Sequence, residues 1–152
     1  MARLNYLFIY CEWLDSALVK KFMPDAEFIT TATCEDHKVR FVSYEDDKGN
    51  PFGGGCCLTK APGELLYGTV WKVAEEDLLN LDQLVNIAEG RYTREYRAVM
   101  GSNGKPYATV SHSIKHPTGD SKPSEAYIGH MLAGAKEFQF PEEYIKKLEA
   151  LK

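Results

Sequence analysis

Cys11 and Glu12 stand side by side where an apolar segment, Tyr6–Tyr10, runs into a short helix. A thiol held between a strand end and a helix start can have its pKa depressed, so Cys11 is a candidate nucleophile wherever a base accompanies it. Glu12 offers a carboxyl group able to move a proton as general acid or base. His112 lies in an alternating strand, and an imidazole titrates near neutral pH without assistance. Its bland alternative is a structural or exposed strand histidine. His37, His116 and His130 have no partner at a metal-ligand spacing, and the chain has no helical His-x-x-x-His. The four cysteines are Cys11, Cys34, Cys56 and Cys57, with no pair at the spacing of a zinc ribbon. Cys56 and Cys57 are adjacent, so on a strand they point to opposite faces and cannot chelate one ion. Cys34, Cys56 and Cys57 are expected to be buried, reduced thiols acting as small hydrophobes. Gly53–Gly55 is followed by neither Lys-Ser/Thr nor a helix start, which argues against a phosphate loop. The glycines are better read as a place where backbones approach or a strand bends.

These groups need a frame. Tyr6–Tyr10 reads as a strand buried on both faces. Asp15 then caps a short helix carrying Ala17, Leu18 and Phe22 on one side, and Pro24 ends it. Ala26–Thr33 and Val39–Tyr44 read as two further strands, with a polar turn over 45–50. Cys56–Thr59 is a short apolar run and Ala61–Glu64 a turn. Leu65–Val73 is the strongest strand, and Glu75–Ile87 has helical apolar spacing. Tyr92–Met100 and Lys105–Ile114 form a hairpin around Gly101–Gly104. His116–Ser124 reads as a loop placed over a cavity mouth. Ala126–Ala133 and Glu142–Leu151 are helical, separated by Gly134 and Pro141. The pattern predicts an α+β fold: a small, mostly antiparallel β-barrel with flanking helices.

Composition narrows the function classes. At 152 residues the chain is expected to be a single domain, 1–152, burying roughly two-thirds of its unfolded surface. A hydrophobic fraction of 44% suits a folded protein, and a net charge of −4 without a basic run argues against nucleic acid as a partner. The N-terminal apolar run is too short for a secretory signal, and no stretch reaches the ~20 apolar residues of a membrane span. The expectation is a cytoplasmic protein that uses no cofactor or metal and meets a small-molecule substrate or ligand, with no membrane partner. The sequence sets no oligomeric state.

The strand Gly68-Thr-Val-Trp71, the turn Pro62-Gly63, Leu81-Asp82, the strand entry Gly90-x-Tyr92, and the tail Gly134-Ala-Lys-Glu137 with Pro141-x-x-Tyr144 occur in a characteristic order. Together they resemble the γ-glutamylcyclotransferase family, small barrel enzymes that cut γ-glutamyl amides by cyclising the glutamyl group to 5-oxoproline. The resemblance covers nearly the whole chain. It implies a carboxylate-gripping loop after the first strand, Tyr-Gly-Ser-Asn-Leu in the family, whose successive N–H groups form an anion nest. The matching residues are Tyr10, Cys11, Glu12, Trp13 and Leu14. Trp13 would crowd that pocket. A Glu12 carboxylate at ~4 Å would repel a substrate carboxylate by several kcal/mol at intermediate dielectric.

The resemblance also implies a catalytic glutamate shortly after Leu-Asp, with a pKa raised by its pocket. Without a gap that position is Val85, which carries no proton. Glu89 lies one helical turn on, ~6 Å along the axis, and serves only if the pocket is shifted. Tyr127 matches a family tyrosine near the substrate, and His112 stands where the family usually has one. The candidate catalytic set is therefore Glu12, His112, Tyr127 and Glu89, with Tyr10, Cys11, Trp13, Leu14 and Val85 as substrate-binding positions. Three readings follow: an enzyme with altered chemistry on a small amide, amine or acid; a γ-glutamylcyclotransferase using Glu89 or Glu12; and a non-catalytic protein that binds a small ligand or a partner. The clustering of new ionisable groups favours the first.

Overall fold

Two strands far longer than the local pattern suggests organise the computed structural model, which describes residues 4–152. The segments expected as separate strands within 26–44 are one strand, β2 (Glu27–Glu45); those between 53 and 73 are likewise one, β3 (Pro51–Ala74). They pair antiparallel from Glu27↔Lys72 to Glu45↔Pro51. The expected turn at Ala61–Glu64 survives as a bulge inside this ribbon, because the register passes from Glu35↔Leu65 directly to His37↔Lys60. Asp36 (φ 60°) and Gly63 (φ 83°) take left-handed conformations there, and the Gly63 N–H donates to Asp36 Oδ1 at 2.8 Å. Turn chemistry read locally is thus absorbed by long-range pairing.

The remaining strands are β1 (Leu4–Ile9), β4 (Tyr92–Gly101), β5 (Pro106–Ile114) and β6 (His116–Asp120). The sheet order β3-β1-β5-β4-β2 closes on itself through β2–β3, a five-stranded barrel. Among the described residues only β1–β5 pairs parallel. This is the expected α+β barrel. Strand β6 corrects an expectation: the segment read as a loop over a cavity mouth instead pairs with the end of β2, from Val42↔Asp120 to Glu45↔His116. Burial on both faces of β1 holds for Leu7, Phe8 and Ile9, while Leu4 and Tyr6 are exposed.

Four helices flank the barrel: α1 (Ser16–Phe22), α2 (Glu75–Leu84), α3 (Glu125–Glu137) and α4 (Glu142–Glu149). The Asp15 carboxylate caps α1 by accepting the Ala17 N–H at 3.1 Å, as expected from its type and place. Helix α2 stops before the expected Ile87; Asn86 turns left-handed at φ 57°. Ser124 caps α3, accepting the Tyr127 N–H at 3.1 Å. That helix runs through Gly134 rather than ending there. A Cβ at Gly134 would lie 2.1 Å from the Leu14 carbonyl carbon and oxygen, so the glycine is a point of backbone contact, not a stop. The core packs Leu7, Phe8, Leu66, Val70 and Val73 of the barrel against Leu14, Val19, Leu78, Met131 and Leu148 of the helical segments.

Candidate active site

The chain leaves β1 at Ile9 and is held rigidly for the next six residues. Tyr10 is 3% exposed and donates from its hydroxyl to the His112 carbonyl oxygen at 2.7 Å; burial drives its phenol far above the usual range. Glu12–Leu14 forms one 3₁₀ turn, closed by the Leu14 N–H on the Cys11 carbonyl at 2.9 Å. Leu14 is wholly buried beneath Gly134. Trp13 stacks on Phe22 of α1, ring centroids 5.1 Å apart and planes 5° from parallel.

These residues form one wall of a cavity of about 410 Å³. Tyr10, Cys11, Glu12 and Trp13 line it, with Val85 and Leu81 from the end of α2, and Tyr92, His112 and Tyr127 from β4, β5 and α3. Seven of the nine positions singled out from sequence therefore meet around one space. Two do not. Leu14 anchors the turn from inside the core, because its side chain points away from the cavity into the helix contact. Glu89 is exposed in the turn after α2, where its carbonyl accepts the Asp47 N–H at 3.1 Å. The helix ends too early to carry Glu89 back to the cavity, so it is no substitute for the family's carboxyl at Val85.

The cysteine expectation is corrected. Cys11 and Cys56 are joined by a disulfide across 45 residues of sequence, their Cα atoms 6.6 Å apart. Barrel closure brings the end of β1 beside β3, a proximity that spacing does not reveal. Cys11 is therefore not a free nucleophile in this state, and Cys56 is not a reduced thiol. Cys34 and Cys57 are the buried, free pair that was expected. Cys56 and Cys57 do face opposite ways, into separate apolar clusters.

Behind His112 lies an arrangement that sequence reasoning missed. His112 and Arg94 are directly paired across β4 and β5, and Asp82 of α2 reaches both. Asp82 Oδ1 sits 2.8 Å from His112 Nε2, and Arg94 donates from Nε (3.1 Å) and Nη2 (2.5 Å) to the same carboxylate. Burial acts to raise the Asp82 pKa, but the Arg94 and His112 hydrogen bonds outweigh it and hold the carboxyl below its usual range. Burial lowers the His112 pKa against the opposing pull of Asp82, favouring a neutral ring. Neutral imidazole beside an ionised carboxylate must place its proton on Nε2, leaving Nδ1 as a lone-pair acceptor. The only sequence signal was Asp82 within Leu81-Asp82, noted for its spacing alone.

The other polar groups face the same space. Burial raises the Glu12 pKa, with the His130 charge opposing it. Burial also pushes Tyr92 up to about 12 and Tyr127 well above its usual value, and the Glu12 charge adds to both. The Tyr127 hydroxyl lies 3.1 Å from Cys56 Sγ. Glycines supply room rather than a phosphate cradle: a Cβ at Gly54 would meet the Phe41 ring at 2.0 Å, and one at Gly55 the Tyr92 hydroxyl at 2.3 Å. Among the described residues no cluster of His, Cys, Asp and Glu is arranged to hold a metal, and no helix is long and apolar enough to cross a membrane.

A five-stranded mixed barrel with a cavity between its first strand end and two helices defines a γ-glutamylcyclotransferase-like α+β protein. The chain belongs to the AIG2-like family, whose sequence pattern matches residues 65–148. It is similar to the gamma-glutamylcyclotransferase of Homo sapiens, 29% identical over 129 residues that span 84% of this chain and 68% of the human one. The Mus musculus protein is 27% identical over the same shares. A solved gamma-glutamyl cyclotransferase superposes with a TM-score of 0.88 at 27% identity, over 99% of this chain and 89% of that one. A yeast gamma-glutamyl cyclotransferase specific to glutathione, 11% identical with a TM-score of 0.62, shares the fold alone.

Proposed function

We propose that this chain is an enzyme on the γ-glutamylcyclotransferase frame, acting on a small amide or amine with His112 as its proton carrier. The observation that carries this reading is the His112–Asp82–Arg94 chain opening onto the cavity where the aligned acid/base position, Val85, is hydrocarbon. Relatives named gamma-glutamylcyclotransferase support a cyclotransferase-like class of reaction. In such a step an amine nitrogen attacks an amide carbonyl. His112 Nδ1 takes the proton from the attacking nitrogen as the new N–C bond forms. It returns that proton to the departing nitrogen as the old C–N bond breaks, so the base is regenerated. Tyr127 and Tyr92, both held protonated, can donate hydrogen bonds to the carbonyl oxygen as charge develops there.

Turnover of a panel of small amides should fall by roughly 10²-fold or more in His112→Gln, with little change in melting temperature. Full activity in that variant would remove His112 from the mechanism. A second reading, standard cyclisation with Glu12 as acid/base, draws on the raised Glu12 pKa at the cavity. It requires 5-oxoproline from γ-glutamyl amines in wild type and its loss in Glu12→Gln.

A further inference from the structure

The cavity selects charge as well as shape. Among the described residues its lining contains one formally charged side chain at neutral pH, Glu12, and no lysine or arginine. The Arg94 guanidinium is already engaged by Asp82 and stands behind His112, so it is not free to receive an anion. Two backbone donors of the loop are also engaged. The Leu14 N–H closes the 3₁₀ turn on the Cys11 carbonyl, and the Asp15 N–H donates to the Glu12 carbonyl at 3.2 Å. The apolar part of the wall continues to the surface, where Phe22 is 47% and Leu84 54% exposed beside the stacked Trp13.

From these groups we infer that the cavity takes an apolar primary amine, or a neutral amide on the same kind of hydrocarbon body, and excludes molecules bearing a free carboxylate. The ammonium lies at Glu12 and the hydrocarbon body runs along Trp13, Phe22, Leu84 and Val85. The physical reason is desolvation: a carboxylate entering this space gives up water, gains no cation and meets a like charge, whereas an ammonium is paired. The apolar wall supplies binding in proportion to the hydrocarbon area it covers. The protein's net charge of −4 acts in the same direction at long range.

This inference rests on the proposed cavity but not on its chemistry, so binding tests it without turnover. Calorimetry would compare 4-phenylbutylamine, 4-phenylbutanamide and 4-phenylbutanoate, which share one hydrocarbon body. The expected order is amine, then amide, then acid, with the amine at least about tenfold tighter than the acid. Glu12→Gln should collapse the difference between amine and acid, leaving the amide unchanged. Should that variant fail to fold, salt serves instead: the wild-type amine affinity should weaken as ionic strength rises while the amide affinity holds. Acid binding equal to or tighter than amine binding overturns the inference. So does an amine preference that survives Glu12→Gln or added salt, or no binding of any of the three at roughly 10 mM. Selective amine binding with His112→Gln fully active would leave this inference standing and remove the catalytic reading instead.

Discussion

His112 Nε2 lies 2.8 Å from Asp82 Oδ1, joining β5 to α2 at the back of the cavity. The contact fixes which imidazole nitrogen bears the proton, because the carboxylate accepts and cannot donate. Arg94 keeps the carboxylate ionised and oriented from the adjacent strand. A base prepared in this way needs no proton shift within its ring before it acts.

Asp82→Asn tests that preparation. An amide can present its NH₂ to His112, which would force the ring proton to Nδ1 and blunt the lone pair toward the cavity. Nitrogen-15 NMR of His112 should report Nε2–H in wild type and a change toward Nδ1–H in the variant, with turnover falling roughly 10²-fold. An unchanged tautomer would mean that Asp82 does not set it.

The same ring makes stability depend on pH. Burial holds the folded His112 pKa below its ordinary value of 6.5. Between these two values the unfolded chain binds a proton that the folded chain refuses. Stability is therefore full above about pH 6.5 and declines as pH falls through the folded pKa. The melting temperature of wild type, measured relative to His112→Gln, should drop between about pH 7 and pH 5. A flat difference across that range would show that the ring is not held neutral by burial.

Gly134→Ala should cost about 2 kcal/mol or more in chemical denaturation, since its Cβ would strike backbone atoms of Leu14 that cannot rotate away. The damage should extend to the cavity, because Leu14 ends the turn that presents Glu12 and Trp13. A neutral result would mean that α3 can slide outward freely.

The Cys11–Cys56 bond closes a loop spanning a sequence separation of 45, for which chain entropy gives up to ~4 kcal/mol of stabilisation. Dithiothreitol should lower the melting temperature of wild type but not of Cys11→Ser/Cys56→Ser. Oxidised protein unfolded in guanidinium should titrate two thiols, Cys34 and Cys57. Four reactive thiols would show the pair reduced.

Sequence alone determined what local chemistry controls. Alternation gave the strands, 3.6-residue spacing and the Asp15 cap gave the helices, and the ordered motifs from Gly68-Thr-Val-Trp71 to Pro141-x-x-Tyr144 gave the barrel family. It also brought forward Tyr10 to Trp13, Val85, His112 and Tyr127, since each falls on a recognisable motif position. Barrel closure decided the rest. It turned the expected turn at Ala61–Glu64 into a bulge and laid His116–Asp120 against β2. It also set Cys11 beside Cys56 and placed Asp82 between His112 and Arg94. Each of these depends on residues far apart in the chain meeting at one distance and orientation, and periodicity along a single segment carries no such information.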